Sequence, residues 1–443
     1  MLYLETFGCQ MNVSDSEKIA SMLGEIGYSL TESHEEADLI ILNTCSIRAK
    51  AEQKLYSLLG RFRELKKRNE RLIVGVGGCV AQKEGRRLLR KVPFVNIVFG
   101  THNLHLVADM VSAAEQGHRL VHVDFIDNDT RLDLFPKADA GGAVARFVTI
   151  MQGCDNYCTY CIVPYVRGRE ISRRSEDILD EIRTMAANGT REVTLLGQNV
   201  NSYGLKSPGE CDFPRLLHTV ASIDGIERIR FTTSHPKDLS PSLISCFAEI
   251  PKLCGHIHLP AQSGSDAVLA GMERGYTRGD YLAKIEALKK ARPDIQITGD
   301  IIVGFPGESE EDFQQTLSLL REVEYADQFS FIFSVRKETR AAGFADTVPY
   351  REKQERLSRL QQLQKGITLE RNRSLVGTVQ EILVEGKSRK GDQMFGRTGG
   401  NRIVNFTGDS SLAARIVPVR ITRAFQNSLL GELQNEPGGG IHA

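Results

Sequence analysis

The sequence predicts an α/β protein of three successive units, and three observations support this prediction. Strand-like apolar runs alternate with helical segments over most of the 443 residues, a pattern typical of parallel α/β sheets. A polar, glycine-containing segment interrupts the alternation near residue 130. Beyond residue 373, short β-branched runs separated by Gly, Ser and Asn turns replace it. At about 150 residues per domain, the length also fits three units better than one.

Residues 1–125 are predicted to form a parallel α/β domain of the Rossmann or flavodoxin type. Ser14 and Glu17 have the spacing of a capping box, which predicts a helix over Lys18–Ile26. Leucines at helical spacing predict a longer helix over Ala49–Asn69. The predicted strands are Met1–Phe7, Ala37–Leu42, Arg71–Val76 and Val92–Phe99.

Residues 146–373 follow a predicted linker over 126–145 and contain about six strand–helix repeats. That number indicates a complete or partial (β/α) barrel rather than an open sheet. Residues 374–436 are predicted to form a small antiparallel β-barrel of the oligonucleotide-binding type. The strand-like runs of the middle unit are Ala145–Ile150, Glu192–Leu196, Arg228–Thr232, Gly255–Leu259, Ile295–Val303 and Gln328–Phe333.

Composition limits the classes of protein that this chain can belong to. Nine cysteines are too few for a disulfide scaffold, and clustered cysteines in a reducing compartment more often bind metal. The first residues lack the pattern of a signal peptide, and no stretch approaches the roughly 18 apolar residues of a membrane span. We therefore expect a soluble, cytoplasmic protein without membrane contact. The formal net charge of zero neither indicates nor excludes a nucleic-acid partner.

The strongest motif is Cys154-Asp-Asn-Tyr-Cys158-Thr-Tyr-Cys161, directly after a predicted strand. Three thiolates in so short a loop can converge on one iron–sulfur cluster. Because no fourth cysteine follows nearby, one iron of that cluster would stay open to a small molecule. The alternative is a zinc site, but zinc motifs add a second cysteine pair or histidines, and neither follows within twenty residues.

Three further cysteines, Cys9, Cys45 and Cys79, each follow one of the first three predicted strands. Their spacings of 36 and 34 residues are about one strand–helix unit each, and parallel strands end at one common sheet edge, where ligands bind. We expect these thiols to converge on a second cluster. The alternative is that they are buried as small apolar side chains. The other cysteines share no such register and are predicted to be free thiols: Cys211, Cys246 and Cys254.

The spacing Cys-x3-Cys-x2-Cys at the first strand of a barrel resembles the radical S-adenosylmethionine (SAM) enzymes. In that superfamily the open iron binds the amino and carboxylate groups of SAM, and an aromatic residue before the third cysteine lies near the adenine. Amide and carboxylate side chains after other strands offer contacts for the ribose and the amino-acid end, and glycine allows close backbone approach. The candidate SAM contacts are Tyr160, Gln198, Asn199, Gln262, Asp300 and Gly304.

Nearly the whole chain resembles the radical SAM methylthiotransferases, which combine a three-cysteine domain, a radical SAM barrel and a C-terminal TRAM domain. The matching blocks are Gly8–Glu17, Asn43–Glu52, Gly153–Arg169 and His258–Gly264. Three further segments are most similar to the tRNA-modifying MiaB branch of the family: Met11-Asn12, Ser46-Ile47-Arg48 and Gly396–Phe406. One rim loop departs from the usual Arg-Pro-Gly-Thr and reads Arg336-Lys337-Glu338-Thr339.

The resemblance implies the cofactors, the substrate and the reaction. It implies two [4Fe–4S] clusters, one on each cysteine triplet, and two SAM molecules per turnover, one as radical source and one as methyl donor. The implied reaction adds a methylthio group to C2 of N6-isopentenyladenosine beside the tRNA anticodon, at position 37. A low-potential electron donor of the flavodoxin or ferredoxin type is also implied, and we expect a monomer.

Charge is distributed unevenly in a way that suits an RNA substrate. Residues 371–443 carry a net charge of +4, so the rest of the chain carries −4, and a local basic surface can bind phosphates. The segment Arg61–Arg71 is also basic and is either a second such patch or simply an exposed helix face. The candidate substrate and RNA contacts are Arg167, Arg169, Arg397, Arg402 and Phe406.

Alternative functions stay open from the sequence. Within the family, the same six cysteines would serve an enzyme acting on threonylcarbamoyl-adenosine in tRNA or on an aspartate of a ribosomal protein. Two other classes are a non-catalytic iron–sulfur electron carrier and a zinc-stabilised RNA-binding protein. Neither of these two gives a role to the long barrel together with the basic C-terminal unit.

Overall fold

The structure is a computed structural model that describes residues 1–46, 49–126, 142–388 and 391–434, without the side chains of residues 49–51. The three predicted units are present. Their predicted boundaries at residues 125, 146 and 374 stay predictions. Three predicted parts lie wholly or mostly outside the described residues: the linker, the Ile47-Arg48 part of one motif, and residues 435 and 436.

Five parallel strands form the sheet of the first unit in the order β1-β2-β3-β4-β5: β1 (Leu2–Thr6), β2 (Leu39–Thr44), β3 (Ile73–Gly78), β4 (Ile97–Phe99) and β5 (Leu120–His122). Every residue of β2 and β3 is buried, as expected for parallel strands covered on both faces. The helices are α1 (Gln10–Glu25), α2 (Ala49–Arg68), α3 (Cys79–Glu84), α4 (Arg86–Lys91) and α5 (Val107–Glu115). Helices α1 and α5 cover one face, and α2, α3 and α4 cover the other.

The chain reverses direction across this sheet at β1. Leu30 forms a parallel bridge with Leu2 on one side of β1, while β2 pairs with the other side. This is the flavodoxin-type arrangement, with its second strand reduced to a bridge. In such sheets ligands bind beyond the carboxyl ends of the strands, at the switch point. The switch point here lies between β1 and β2. Cys45 directly follows β2, and Cys9 lies three residues after the end of β1.

Helix α1 begins earlier than the sequence predicted. Its N-cap residue is Cys9, and Ser14, Asp15 and Ser16 are buried within the helix, so the expected capping box is wrong. Serine and aspartate are typical caps, but the side chains of Ser14 and Asp15 have partners in the second unit. Ser14 Oγ lies 3.3 Å from Thr149 Oγ1, and Asp15 pairs with an arginine of that unit.

Six parallel strands line the second unit in two three-stranded sheets. The Ile229–Leu253 bridge joins the sheets, so the strands follow chain order around a partial barrel, as predicted. The six strands are β6 (Ala145–Thr149), β9 (Glu192–Leu196), β10 (Arg228–Thr232), β11 (His256–His258), β12 (Gln296–Val303) and β13 (Asp327–Ile332). Two short strands, β7 (Met151–Gln152) and β8 (Ile171–Ser172), form a separate antiparallel pair.

Eight helices of the second unit are described, and none of the described helices of the chain is long and apolar enough to cross a membrane. They are α6 (Val163–Arg167), α7 (Ser175–Ala187), α8 (Phe213–Ala221), α9 (Pro241–Glu249), α10 (Asp266–Gly271), α11 (Arg278–Ala291), α12 (Glu310–Val323) and α13 (Tyr350–Arg373). Six of them pack on one large apolar core, while α6 and α10 belong to two smaller apolar clusters.

The third unit is a closed five-stranded barrel in the order β14-β15-β16-β18-β17: β14 (Val379–Lys387), β15 (Met394–Thr398), β16 (Ile403–Thr407), β17 (Ile416–Ala424) and β18 (Leu429–Leu433). The sequence did not predict β15 or β18, because each is short and has a glycine at its centre. The barrel is not wholly antiparallel as expected, since β16 and β18 pair in parallel and so close it.

Buried arginines attach this small barrel to the second unit. Arg228 and Arg230 of β10 donate four hydrogen bonds of 2.6–2.8 Å to backbone carbonyls of the small barrel. Arg402 donates in the other direction, to the carbonyl of Ala326. Arg230 also pairs with the buried carboxylate of Glu192 at 2.8 Å. The two barrels are therefore joined by arginine side chains that donate to main-chain carbonyls, four times from β10 and once from the small barrel itself.

We predict that Arg230→Leu lowers the free energy of unfolding by about 3–5 kcal/mol, because Glu192 would stay buried without its partner. Thermal unfolding of the purified protein should show a fall of several degrees in Tm. The matched control is Arg183→Leu, since Arg183 is 58% exposed and its surface pair contributes little. Equal melting temperatures for the two variants would contradict the prediction.

Candidate active site

The first cysteine triplet lies at the carboxyl edge of the first sheet, as the sequence predicted. Cys9 caps α1, Cys45 follows β2, and Cys79 opens α3. A hydrogen bond with Cys45 lowers the pKa of the Cys9 thiol to about 6, whereas burial raises the pKa of Cys79. Gly8 has a φ of 121°, and a Cβ there would lie 2.3 Å from Cys45 Cβ, so only glycine allows this approach.

Arg167, at the end of α6, reaches from the second unit to the first triplet. Its Nη2 donates to Asn12 Oδ1 at 3.0 Å and to Asp15 Oδ2 at 2.9 Å. Its charge acts to lower the pKa of both Cys9 and Cys79, while Nη1 is buried without a hydrogen-bond partner. Arg167 is only 3% exposed and lines the cavity described below, so it lies in the interior, and its predicted contact with the substrate stays a prediction.

The second triplet, Cys154, Cys158 and Cys161, lies on the loop between β7 and α6. Burial raises the pKa of Cys154 to about 11 and that of Cys161 to about 12. Arg274 Nη1 donates to Cys158 Sγ at 3.4 Å, and His235 Nε2 lies 3.9 Å from the same sulfur. Neither residue was predicted from the sequence, because neither belongs to a motif with a recognisable spacing.

The donor atoms in both triplets suit iron–sulfur clusters better than single metal ions. Among the described residues, no three His, Cys, Asp or Glu side chains form a group that could hold one ion. A tetrahedral zinc site needs sulfurs about 3.8 Å apart, given Zn–S distances of about 2.3 Å. A four-iron cluster is larger, takes thiolate ligands and accepts hydrogen bonds at its sulfurs. The unpartnered Nη1 of Arg167, beside the first triplet, fits that requirement.

Two cysteines of the first triplet and residues of α6, the helix that follows the second triplet, line one cavity of about 120 Å³. Cys79 packs against Ile162 and Val166, which closely follow Cys161. Cys9 and Cys79 line the cavity together with Arg167, Gln198 and residues at the ends of β9 and β10. The structure thus brings the N-terminal cysteines and the rim of the barrel to one enclosed space between the first two units.

Two of the predicted SAM contacts act on neighbouring protein groups. Gln198 Oε1 accepts a hydrogen bond of 2.5 Å from the backbone N–H of Gly153, just before Cys154. Asn199 is buried, donates to Asp238 and Ser202, and accepts from the backbone of His235. Gln198 therefore holds the cysteine loop while lining the cavity, and Asn199 fixes the loops after β9 and β10.

The other predicted SAM contacts differ in what surrounds them. Tyr160 packs against the apolar cluster of Phe305, and Asp300 Oδ2 lies 3.4 Å from His258 Nε2. Gln262 Oε1 is buried without a hydrogen-bond partner and is therefore a free acceptor.

Gly304 has a structural reason to be glycine, and its predicted contact with SAM stays a prediction. A Cβ on Gly304 would lie 2.4 Å from Lys353 Cγ of α13. Its φ of 71° is also a conformation that favours glycine. The packing of α13 and the backbone turn therefore explain this glycine.

The predicted RNA contacts of the small barrel also need correction. Phe406 is 0% exposed in the barrel core, so its ring is not available to stack on a base. Arg397 donates to Glu385 and Asn401, and Arg402 serves the joint with the second unit. Arg169 is the most exposed of the five candidates, at 75%, and lies 3.5 Å from Asp155 beside the second triplet.

Comparison with known proteins defines the class. Profiles of three families match successive parts of the chain: Uncharacterized protein family UPF0004 (residues 1–100), the Radical SAM superfamily (148–320) and the TRAM domain (373–434). The fold is similar to that of the radical SAM methyltransferase TsrM from Kitasatospora setae, with a TM-score of 0.56, 12% identity and coverage of 88% of this chain and 78% of that one. The chain has the fold of a radical SAM enzyme with a TRAM domain.

The curated relatives are more specific. Two of them, from Geobacter metallireducens and Geobacter sulfurreducens, are named tRNA-2-methylthio-N(6)-dimethylallyladenosine synthase and are 68% and 66% identical to this chain. The matches cover 98% and 99% of this chain and 98% of each relative. The chain belongs to this family of radical SAM methylthiotransferases.

We predict that Arg167→Met lowers the free energy of unfolding by about 3–5 kcal/mol, because Asp15 would remain buried and charged without its partner. Adding Asp15→Asn to that variant should recover part of the loss, since it removes the uncompensated charge. Thermal unfolding of the single and double variants checks this. A double variant that is destabilised by the full sum of both single changes would show that the pair is not coupled.

Proposed function

We propose that this protein adds a methylthio group to C2 of N6-isopentenyladenosine at position 37 of tRNA, beside the anticodon. Membership of the synthase family supports the substrate, as does the TRAM domain. The observation that carries the chemistry is that Cys79 of the first triplet packs against α6, which directly follows the second triplet, and lines a cavity at the rim of the barrel. Two sulfur-rich sites so close together suit a reaction that needs both a radical and a sulfur donor.

The radical SAM superfamily uses one [4Fe–4S] cluster and SAM. We propose Cys154, Cys158 and Cys161 as the ligands of that cluster, and the first triplet as the ligands of a second one. Two SAM molecules per turnover would then be needed, as radical source and as methyl donor. These bound groups supply the step that side chains cannot, the replacement of an aromatic C–H by sulfur.

The side chains of the protein hold and shield these groups. Arg274, buried against Cys158, keeps water from that sulfur and offers it a charged donor. Gln198 fixes the backbone at Gly153, and Gln262 has a free acceptor for a SAM hydroxyl or amine. The cavity lies between two units rather than on an open surface, so the target base must leave the anticodon stack to enter it.

Further parts of the proposal concern location and partners. A tRNA substrate implies a cytoplasmic enzyme, and a radical SAM cluster implies a low-potential electron donor of the flavodoxin or ferredoxin type. We propose that the protein acts as a monomer, because both triplets and the cavity beside the first one are formed within one chain.

Metal analysis after anaerobic purification distinguishes the classes of function. Two four-iron clusters predict about eight irons per chain. Zinc with little iron would instead support the zinc-stabilised RNA-binding protein. Eight irons without SAM cleavage would support the electron carrier. Mass spectrometry of tRNA nucleosides from cells that lack and then regain the protein distinguishes isopentenyladenosine from threonylcarbamoyl-adenosine as the substrate.

We predict that Cys158→Ala abolishes the cleavage of SAM to 5′-deoxyadenosine, because the cluster that binds SAM would lose a ligand. Chromatography of the reaction products measures this. The matched control is Cys211→Ala, which removes a thiol that lies in neither triplet and should leave cleavage unchanged. Continued formation of 5′-deoxyadenosine by Cys158→Ala would refute the role given to the second triplet.

We predict that Cys45→Ala still cleaves SAM but makes no methylthio product, because only the first triplet is affected. The iron content should fall by about half, to about four irons per chain. The measurements are iron analysis, 5′-deoxyadenosine formation and nucleoside mass spectrometry on the same preparation. A variant that forms product at the normal rate would show that the N-terminal cysteines are structural.

A further inference from the structure

The first unit carries a basic surface that the proposed function does not use. We define the α2–α4 basic patch as the Lys and Arg side chains of residues 61–71 and 86–91. Residues 61–71 and 84–91 contain ten Lys or Arg and three Glu, and all ten basic residues except Lys66 are exposed. The chain as a whole has no net charge, so this concentration of positive charge is local.

The structure, not the sequence, joins the two halves of the patch. Helices α2 and α4 pack on the same face of the sheet. Lys91 Nζ lies 3.4 Å from Tyr56 OH of α2 and 5.5 Å from the centre of that ring. Arg63 and Lys67 line a groove with Phe94, which follows α4. The basic side chains of the two helices therefore form one continuous surface.

The chemistry of the patch indicates a polyanion rather than a protein partner. Among the described residues, the large apolar side chains that are exposed all lie elsewhere than on α2 or α4. Protein interfaces have an apolar core and are depleted in lysine. Surfaces that bind a nucleic-acid backbone carry clustered Lys and Arg without needing such a core.

The position of the patch indicates which part of the RNA it meets. Helix α2 is 20 residues long, about 30 Å, and its basic end leads into β3, whose opposite end carries Cys79. The six residues of β3 place the basic end of α2 roughly 20 Å from the first triplet, while α4 starts at Arg86, seven residues after Cys79. The basic end of α2 is thus too far away for the target base itself, but within reach of the stem that continues from the anticodon loop.

Resting on the proposed function, we propose that the α2–α4 basic patch binds the phosphate backbone of tRNA outside the anticodon loop. An acidic electron-donor protein is the competing occupant. Such a donor must approach a cluster closely, whereas six of the ten basic residues, those of residues 61–71, lie toward the sheet edge opposite the cysteines. The RNA backbone is therefore the occupant that the geometry favours.

The test compares two variants of the reconstituted holoenzyme with equal changes in net charge. The patch variant replaces Arg63, Lys67, Arg87 and Arg90 by Gln. The control variant replaces four exposed basic residues on the outer helices of the second unit by Gln: Arg183, Lys290, Arg321 and Arg351. Fluorescence anisotropy measures Kd for full-length tRNA carrying N6-isopentenyladenosine, and for its isolated anticodon stem-loop, over a range of salt concentrations.

We expect the patch variant to bind full-length tRNA about 10-fold or more weakly at 0.1 M salt, with a salt dependence lower by about 3 in log–log slope. The control variant should bind like the unchanged protein, and both should cleave SAM at the unchanged rate. Equal affinities for all three proteins, or equal losses in both variants, would overturn the inference. So would normal tRNA binding with slower reduction by an acidic flavodoxin, which would assign the patch to the electron donor.

The proposed function fails separately from this inference. If the unchanged protein forms no methylthio product on this tRNA, the proposed function is wrong, whatever the variants bind. If it forms product while the patch variant binds normally, only the inference is wrong.

Discussion

The contact of Arg167 with Asp15 and Asn12 is the constraint on which the site depends. Arg167 lies six residues after Cys161 and is held by the helix that begins at Cys9. The loop of the second triplet therefore cannot shift without moving Arg167, which is bound to the helix that follows Cys9 of the first triplet. The backbone carbonyl of Val166 also accepts a hydrogen bond from Thr101, and the carbonyl of Arg167 contacts His102. Both partners belong to the first unit. One short helix thus sets the separation of the two triplets.

The interface around this contact contains an unusual amount of buried charge. Lys18 of α1 is 4% exposed, and burial lowers its pKa, while nearby Glu181 acts to raise it. Arg173 pairs with Glu181 at the same boundary. Buried ion pairs give little net stability, because desolvation offsets their attraction. They do penalise every arrangement that separates them, so this interface favours one relative orientation of the first two units over slightly shifted ones.

The elements of the fold could be predicted from the sequence wherever a local pattern determines them. Strands β9 and β10 have the predicted ends, and both cysteine triplets lie where strand ends and loop spacing placed them. Predictions failed at Ser14 and Phe406. Ser14 has a partner in another unit, and Phe406 fills a core formed by strands of which two were not predicted. The packing of Gly304 against the remote helix α13 could not be predicted either. Arg274 and His235 were missed for the same reason, since only the folded barrel brings them to Cys158.

The joint between the two barrels explains several polar groups of the segment Gly396–Phe406. Its backbone carbonyls accept hydrogen bonds from Arg228 and Arg230, and its own Arg402 donates to Ala326. The segment therefore uses its polar groups to hold the small barrel in place. Because that barrel is fixed to the second unit in this way, the RNA rather than the barrel must adjust when the target base is extruded. On our proposals, RNA contacts outside this segment include Arg169 beside the second triplet and the α2–α4 basic patch.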